Sequence, residues 1–146
     1  MTGESVRLVD VALGSPEHAA SFSLRARVLL DPFGIDHELA REDDARARHL
    51  ALFDGAECVA VLMLVPLDSR TMRMRQVAVA PDRQRSGLGS RLTREAEKLC
   101  KETGVTRIVA HARAPALPFY ESLAYRVTGE PFVEVGIAHR TVEKKL

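Results

Sequence analysis

Residues 77–92, VAVAPDRQRSGLGSRL, place the strongest constraint on how this chain can fold. An apolar alternating strand ends at Pro81, polar and charged residues follow, and the chain enters a helix through Gly87 and Gly89. Glycine lets the backbone approach a ligand closely, and the first N–H groups of a helix have no partners within it. Because that end of a helix carries a partial positive charge, the segment predicts an anion site suited to phosphate.

Two familiar phosphate-binding patterns are absent from the chain. There is no GxxxxGK[ST] segment, which argues against a P-loop nucleotidase. The GxGxxG fingerprint of dinucleotide-binding domains is also missing, and the glycines follow a late strand instead of the first one. The segment therefore predicts a phosphate site of another kind.

Alternation and helical spacing divide the chain into interspersed strands and helices, an α/β chain of mixed type. Ser15 followed by Pro16 predicts a helix that reaches about Leu30, a second helix starts near Leu88 and ends at Gly104, and a short one covers 115–123. Residues 36–48 read as a loop or a weak exposed helix. Strands are predicted at 6–11, 49–53, 58–66, 71–80, 105–110, 125–128 and 132–142. The strand–helix–strand crossover over 71–110 should be parallel and right-handed.

The strand at 71–80 contains one irregularity. Its apolar side chains fall first on Met72 and Met74 and then on Val77 and Val79, so the alternation slips by one residue. A β-bulge near residues 75–77 explains the slip. Burial of both faces at the end of the strand explains it equally well, and both interpretations stay open.

Composition restricts the classes of function. A length of 146 residues fits one domain covering 1–146, and a net charge of +1 argues against a general polyanion binder. Residues 70–94 nevertheless hold seven arginines against one acid, Asp82, which fits either phosphate contacts or a solvated basic face. Nucleic-acid binding by these arginines is weakly supported, because interleaved aromatic residues are missing.

Cysteine usage and the N-terminal residues bear on the compartment. Cys58 and Cys100 lie in apolar or helical surroundings without CxxC spacing, so both are expected to be buried free thiols of a reducing compartment. Residues 2–12 carry Glu4, Arg7 and Asp10 in place of the apolar core of a signal peptide. No apolar run approaches the roughly 18 residues that span a bilayer. We therefore expect a cytoplasmic protein that does not bind membranes.

Two segments carry a resemblance to a known family. Gln84-x-x-Gly87-x-Gly89, after a V-A-V-x-P strand and before a helix, resembles motif A of the GNAT superfamily of N-acetyltransferases, [QR]-x-x-G-x-[GA]. ALPFYESLAY at 116–125 resembles the family's A-x-x-x-Y-E-x-x-G-[FY] pattern and follows in the same order. LRARVLL at 24–30, His49 and VEVGIAH at 133–139 are similar to the ElaA-like bacterial branch.

The resemblance implies a single GNAT-like domain with a central mixed, mostly antiparallel β-sheet of six to seven strands, about four helices and one parallel crossover. It implies acetyl-CoA as co-substrate, no metal, and acetyl transfer to a primary amine of a small molecule or peptide. The pyrophosphate would be held by backbone N–H groups of 85–90 and the pantetheine arm by 77–79. The cofactor-binding residues implied by the resemblance are Val77, Ala78, Val79, Gln84, Arg85, Ser86, Gly87, Leu88, Gly89 and Ser90.

The resemblance also assigns roles in the chemistry. Tyr120 occupies the position of the general acid that protonates the departing CoA thiolate, and the N–H of Val77 is an oxyanion donor. The base stays open between a water chain and several side chains, which are His111, Glu134, Glu42, Asp43 and Asp44.

Two positions depart from the family pattern. Arg113 stands where many members have asparagine, which puts a cation where it could reach a phosphate or an acidic acceptor. Ala124 replaces the usual glycine before Tyr125. The acceptor is not identified by the sequence, and a homodimer is compatible with the family. The alternative function is an acetyl-CoA-binding sensor or partner module without turnover.

Overall fold

A seven-stranded sheet forms the centre of the computed structural model, which describes residues 5–146. The strands are β1 (Val6–Val11), β2 (Arg48–Asp54), β3 (Glu57–Pro66), β4 (Thr71–Val79), β5 (Arg107–Arg113), β6 (Arg126–Glu134) and β7 (Ile137–Lys145). Their order in the sheet is β1-β2-β3-β4-β5-β7-β6. Among these described strands, β4 and β5 pair in parallel and the other neighbours are antiparallel.

Helices flank the sheet. The α-helices in the described part of the chain are α1 (Pro16–Arg25), α2 (His37–Arg41), α3 (Leu88–Glu102) and α4 (Leu117–Ser122). Ser15 caps α1 by accepting a hydrogen bond from the N–H of His18, and a π turn over Ala26–Leu30 continues that helix to the break at Gly34. The predicted fold class, with its parallel β4–α3–β5 crossover, is confirmed.

Both faces of the sheet are covered. Leu92, Ala96 and Cys100 of α3 pack against apolar side chains of β2 and β3 on one face. On the other face, Leu24 of α1 packs in a cluster with Phe53 of β2. Because the centre of the sheet is buried on both sides, β3 reads as an unbroken apolar run instead of an alternating one.

The predicted irregularity in β4 is a β-bulge. Pairing with β3 shifts by one residue between Val61 and Met63, so that Gln76 and Val77 both lie opposite Leu62. This is the two-against-one arrangement of a bulge, and the bulge interpretation of the slipped alternation is confirmed.

Strands β4 and β5 separate just before the bulge. Their parallel pairing covers residues 71–74 of β4 against 107–110 of β5. β4 continues to Val79 and β5 to Arg113 without further pairing between them. The sheet therefore contains a gap at this end, and the elements around it form the candidate site.

Two expectations for the C-terminal third are wrong. Residues 132–142 do not form one strand, because β6 ends at Glu134 and a turn at Val135 (φ 46°) and Gly136 (φ 74°) leads into β7. Apolar residues alternate straight through this turn, which hides it in the sequence. Strand β5 also starts later than expected, at Arg107, and extends to Arg113.

Cys58 and Cys100 are buried free thiols, as predicted. Burial raises the pKa of Cys58 to about 12 and that of Cys100 to about 11, so both stay protonated at neutral pH. A search of residues 5–146 finds no helix with the length and apolar character needed to cross a bilayer.

Candidate active site

The gap beside β4 exposes an edge of backbone. The N–H of Ala80 donates to the carbonyl of Val59 in β3 at 2.9 Å. Because successive residues of a strand direct their backbone groups to opposite sides, those of Val77 and Val79 face the gap that β5 has left. An extended ligand with amide groups can pair there, whereas Ala78 pairs with β3.

The turn from β4 into α3 has left-handed backbone at two positions. Arg85 has a φ of 65° and Gly87 a φ of 84°. Gly87 is the N-cap of α3 and provides no side-chain hydrogen bond, so no side chain of the described residues caps the first N–H groups of the helix there. Nothing lies within 4 Å of the position that a Cβ would take at Gly87. The turn can therefore receive an anion without moving.

Gly89 is explained by packing. A Cβ at this position would lie 3.1 Å from Cε1 of Phe119 and 3.3 Å from Cγ2 of Val79. The missing side chain lets α3 approach β4 and α4 closely. This contact also brings the N-terminus of α3 next to the open edge of β4.

The other predicted cofactor residues lie along the same turn. Nε2 of Gln84 donates to the carbonyl of Val79 at 3.3 Å, and the hydroxyl of Ser86 donates to the carbonyl of Arg83. Leu88 is buried in the core and Ser90 is half-buried. The contacts of Gln84 and Gly89 with Val79 place the turn at the end of the open edge.

A cavity of about 290 Å³ lies in the gap between β4 and β5. Its walls come from the bulge, the end of β5, the segment that runs from the end of α1 through α2, helix α4 and the β6–β7 turn. It brings together predicted site residues that are distant in sequence, namely Val77, His111, Tyr120 and Glu134. None of residues 84–90 lines it, so the anion turn and the cavity are separate compartments joined by the edge of β4.

Tyr120 reaches the cavity from α4. Its side chain is 6% exposed and packs edge-to-face on Phe119 and Tyr125, with ring centroids 5.2 Å and 5.6 Å apart. Within residues 5–146 its hydroxyl has no hydrogen-bond partner. Burial raises the pKa of Tyr120, so the phenol keeps its proton at neutral and moderately alkaline pH.

Arg73, His111, Glu134 and His139 form a polar cluster on the cavity wall. Nη2 of Arg73 lies 2.7 Å from Nδ1 of His111 and 3.3 Å from Oε1 of Glu134. That carboxylate oxygen is 3.1 Å from the same histidine nitrogen, and Oε2 is 3.8 Å from Nε2 of His139. Because a guanidinium nitrogen can only donate, Nδ1 of a neutral His111 accepts from Arg73 in this arrangement and Nε2 carries the proton. Nε2 has a lone pair, and can act as a base, in the other tautomer, in which Nδ1–H donates to Glu134 and Nη2 of Arg73 turns away.

The cluster keeps Glu134 ionised. Burial alone would raise the pKa of Glu134, but the hydrogen bond and charge of His111 and the charge of Arg73 outweigh burial and hold it below its ordinary value. Burial lowers the pKa of Arg73. Glu134 is therefore a carboxylate at neutral pH, suited to orienting His111 instead of taking up a proton.

The acidic run divides into one rim residue and two buried ones. Glu42 is exposed at the edge of the cavity. Asp43 forms an ion pair with Arg75, and Asp44 accepts two hydrogen bonds from Arg25 at 2.8 Å and 3.0 Å. The expectation of an exposed segment is therefore wrong for Asp43 and Asp44, whose charges are neutralised inside the fold.

Arg25 connects the acidic run to the bulge. The residue is completely buried, and its Nε donates to Oε1 of Gln76 at 2.7 Å. Gln76 has a φ of 52°, which is uncommon for a residue other than glycine, and its Nε2 donates to the carbonyl of Ala40 at 2.8 Å. Side-chain hydrogen bonds from α1 and α2 thus hold the left-handed backbone that bends β4 away from β5.

His18, Asp44 and His49 each place one ligand-type atom within 4.8 Å of the others, a spacing that suits a metal ion. Arg25 already bonds both carboxylate oxygens of Asp44, and its charge opposes a cation there. Nε2 of His49 bonds the carbonyl of Asp44 at 2.9 Å. Through these contacts the group holds Asp44 in place.

The two departures from the family pattern have structural consequences. Arg113, at the end of β5, lines the cavity and donates from Nη2 to the carbonyl of Leu29 at 2.9 Å. Ala124 has a φ of 69°, in the left-handed region that favours glycine. The family's glycine is therefore explained by backbone conformation.

Sequence reasoning does not identify Arg25, Arg73, Gln76 or His139 as site residues. Their partners are distant in the chain: Arg25 and Gln76 are 51 residues apart, and Arg73 and Glu134 are 61 apart. The signal available was polar or charged side chains that interrupt apolar alternation in β4 and β7. That signal marks unusual positions without showing what they contact.

Known proteins share this arrangement. A sequence profile of the acetyltransferase (GNAT) family matches residues 18–125. The crystal structure of a proposed N-acetyltransferase from Lactobacillus plantarum is 28% identical, with a TM-score of 0.86 over 97% of this chain and 98% of that chain. A GNAT family acetyltransferase from Elizabethkingia anophelis, with acetyl-CoA bound, is 19% identical, with a TM-score of 0.79 over 98% of this chain and 99% of that chain.

ElaA from Escherichia coli has the same fold, with 18% identity and a TM-score of 0.81 over 95% of this chain and 99% of that chain. Membership of the ElaA-like branch stays a prediction at this identity. Alignments with two curated relatives from Bacillus subtilis, each 28% identical, span about half of each relative's length, 51% and 55%.

Proposed function

The chain belongs to the acetyltransferase (GNAT) family, and we propose that it transfers the acetyl group of acetyl-CoA to a primary amine. The observation that carries the proposal is the gap between β4 and β5, where an unpaired backbone edge runs from the uncapped N-terminus of α3 to a cavity. The acetyl-CoA bound to the Elizabethkingia anophelis protein, which has this fold, supports the assignment of the cofactor.

We assign the two ends of acetyl-CoA to the two compartments of the gap. The pyrophosphate accepts hydrogen bonds from the N–H groups of residues 85–90, where the helix dipole favours an anion. The amides of the pantetheine arm pair with the backbone groups of Val77 and Val79 that face the gap, where the Val79 carbonyl also accepts from Gln84. Because Val77 also lines the cavity, this arrangement delivers the thioester to the cavity wall.

The acceptor amine attacks the thioester carbonyl, so that a C–N bond forms and the C–S bond breaks. The N–H of Val77 stabilises the oxyanion, and one such donor contributes about 3–4 kcal/mol. Tyr120 donates its proton to the departing thiolate. Its hydroxyl is protonated at neutral pH and has no hydrogen-bond partner within residues 5–146, so its proton is available to the thiolate.

His111 is the base in this proposal, and Glu134 is its positioning residue. A lysine-like amine with a pKa of about 10.4 is mostly protonated at pH 7, and deprotonating it costs roughly 4–5 kcal/mol. This role needs the tautomer with the proton on Nδ1, so Nη2 of Arg73 must turn away from Nδ1. Nε2 of His111 then accepts the proton, directly or through water, while Nδ1–H donates to Glu134. The Glu134 carboxylate then stabilises the imidazolium.

Calorimetric titration with acetyl-CoA tests the cofactor assignment. Gly87→Glu places bulk and negative charge at the proposed pyrophosphate site and should abolish binding. Gly104→Glu is the matched control, because Gly104 has the same φ of 84° and equally open surroundings at the other end of α3. Adenosine 3′,5′-bisphosphate shows whether the nucleotide end binds alone.

Micromolar binding by wild type and by Gly104→Glu, lost in Gly87→Glu, is the expected result. Equal affinity in all three proteins would contradict the proposal. A thiol-release assay with a panel of amines then separates the two functions: acetyl-CoA binding without release from any amine would favour a sensor or partner module.

We further propose a cytoplasmic location, a small-molecule or peptide acceptor, and no nucleic-acid, membrane or metal partner. The buried free thiols support a reducing compartment. Arg73, Arg75 and Arg83, three of the seven arginines in residues 70–94, form ion pairs within the fold, which leaves a less continuous basic surface. The proposed steps use groups of this chain alone. Light scattering would decide whether two copies associate.

A further inference from the structure

We propose that Arg113 binds a carboxylate of the acceptor, so that the substrate is a small amino acid-like amine. This inference rests on the acetyl transfer proposed above and names the class of acceptor for the same cavity. Arg113 stands at the end of β5 and lines the cavity with Tyr120 and His111.

The protein fixes Arg113 and leaves part of its guanidinium unused. Nη2 donates to the carbonyl of Leu29 at 2.9 Å, and the guanidinium carbon lies 4.6 Å from the centre of the Phe33 ring. Within residues 5–146, Nε and Nη1 of Arg113 have no hydrogen-bond partner. The side chain is thus held in one orientation while most of its N–H groups stay available for a ligand.

Arg113 lacks the carboxylate partner that the other cavity arginines have. Arg73 is paired with Glu134 and Arg75 with Asp43. No carboxylate in the described chain lies within ion-pair distance of Arg113. Burial lowers the pKa of Arg113, and the charge of Glu134, acting from a longer distance, offsets only part of this effect. A half-buried cation without a carboxylate in direct contact is costly, and a bound anion reduces that cost.

The position of Arg113 assigns this anion to the acceptor. Residues 84–90, where the pyrophosphate is proposed to bind, do not line the cavity that contains Arg113. Leu29 and Phe33, which hold Arg113, belong to the segment between α1 and α2. Two parallel N–H donors of a guanidinium match the two oxygens of a carboxylate.

The remaining walls indicate a small acceptor with an apolar side chain. The cavity volume of about 290 Å³ is at the low end for ligand pockets. Apolar side chains from the segment between α1 and α2 and from α2 itself line it, namely Leu29, Leu30, Ile35 and Leu39. Glu42 at the rim is a carboxylate that can attract the ammonium group. Leucine therefore represents the class, and leucinamide and 3-methylbutylamine are analogues without the carboxylate.

The test measures kcat/KM for leucine, leucinamide and 3-methylbutylamine by thiol release. The quantity compared is the leucine-to-leucinamide ratio in each variant divided by that in wild type, so that differences in amine pKa cancel. In Arg113→Gln this ratio should fall about tenfold or more, the value expected for losing a hydrogen bond between charged groups. Arg113→Lys keeps the charge but loses the two parallel N–H donors of the guanidinium. Its ratio should lie between those of wild type and Arg113→Gln.

Arg126→Gln is the matched control, since Arg126 is an exposed arginine of β6 outside the cavity. Its ratio should equal that of wild type. An unchanged ratio in both Arg113 variants would overturn the proposal. Should Arg113→Gln fail to fold, the ratio in Arg113→Lys and the calorimetric affinities of wild type for N-acetyl-leucine and its amide decide the question.

The same experiment separates this inference from the proposed function. Leucinamide or 3-methylbutylamine could be acetylated as fast as leucine, and Arg113→Gln could affect all of them equally. That result would support the acetyltransferase function and contradict the carboxylate site at Arg113. When no amine of the panel turns over, N-acetyl-leucine and its amide are titrated by calorimetry in the presence of CoA. Tighter binding of the acid, lost in Arg113→Gln, supports the inference, and equal or absent binding contradicts it. Failure of the proposed function itself would appear as absence of acetyl-CoA binding.

Discussion

Tyr120 and Tyr125 are both buried, with ring centroids 5.6 Å apart, yet their hydroxyl groups differ. The Tyr125 hydroxyl donates to Oε2 of Glu97 at 2.9 Å. The Tyr120 hydroxyl has no partner among residues 5–146 and lies on the cavity wall. One hydroxyl is therefore part of the fold's hydrogen bonding, and the other is available to a substrate.

Tyr120→Phe should lower kcat by about a hundredfold or more, the usual contribution of a general acid, and leave the acetyl-CoA affinity unchanged. Stability should hardly change, because no protein hydrogen bond is lost. Because activity needs the protonated phenol and burial raises its pKa, we expect no loss of wild-type activity from this group until well above its ordinary value of about 10.

The control is Tyr125→Phe, which removes the bond to Glu97. Its unfolding free energy should fall by about 1–3 kcal/mol while kcat is retained. Urea unfolding and thiol-release kinetics measure both quantities. Full kcat in Tyr120→Phe would contradict its role as the acid.

Ala124→Gly should stabilise the protein. Ala124 is exposed and has a φ of 69°, a conformation that costs an alanine roughly 1–2 kcal/mol. Glycine removes this strain at an entropic cost of about 0.5–1 kcal/mol, so a net gain of up to about 1.5 kcal/mol is expected in urea unfolding. Ala138→Gly, at an exposed position of β7 with ordinary backbone, should destabilise instead. The same sign for both variants would refute this account of Ala124.

At the scale of elements, the bend in β4 depends on α1. Arg25 of α1 bonds Asp44 and Gln76 at once. Asp44→Asn leaves the buried Arg25 with a neutral partner, and loss of one member of a buried ion pair costs about 3–5 kcal/mol. Asp10→Asn, which breaks the exposed pair with Arg48, should cost less than about 1 kcal/mol. Urea unfolding at pH 7 compares the two, and equal effects would show that Arg25 does not depend on Asp44.

The same pair predicts the response to acid. Burial alone would raise the pKa of Asp44, but hydrogen bonding and charge from Arg25 outweigh it and lower that pKa. A carboxyl with a depressed pKa in the folded state stabilises the protein above its unfolded value, about 3.9, and that stability is lost as pH falls through the folded value. Wild type should therefore lose stability below about pH 4 more steeply than Asp44→Asn. Parallel curves of unfolding free energy against pH would exclude this contribution.

The close approach of α3 to β4 and α4 depends on Gly89. Gly89→Val would place carbon atoms against Phe119 and Val79, and such overpacking costs about 1–3 kcal/mol. We also expect weaker acetyl-CoA binding, because the displaced helix carries the anion turn. Adding Phe119→Leu makes room and should restore part of the stability. If the effects of Gly89→Val and Phe119→Leu on the unfolding free energy were additive, the strain would not lie in the contact between residues 89 and 119.

Across the whole chain, the structural features that the sequence predicts are those that depend on residues close together in the sequence. The Ser15 cap and the slipped alternation of β4 each depend on neighbouring residues and are confirmed. The turn after Glu134 escapes prediction because Val135 adopts a φ of 46°, which local rules assign to glycine.

The candidate site divides in the same way. The anion turn at 84–90 is one continuous segment, so its pattern can be read directly from the sequence. The cavity is assembled from five elements, and the partners of Arg73 and Arg113 come from β6 and from the segment after α1. Burial of Asp44 likewise depends on an arginine 19 residues away. No local rule encodes such contacts.

The gap between β4 and β5 means that the sheet is incomplete until a ligand occupies it. A ligand that binds the folded chain alone adds RT ln(1 + [L]/Kd) to its stability, about 2.7 kcal/mol at a concentration of one hundred times Kd. Acetyl-CoA bound as proposed would therefore lower the unfolded population about a hundredfold. In a cell short of acetyl-CoA, proteases would meet the unfolded chain more often. The amount of this protein would then follow the supply of the metabolite that it consumes.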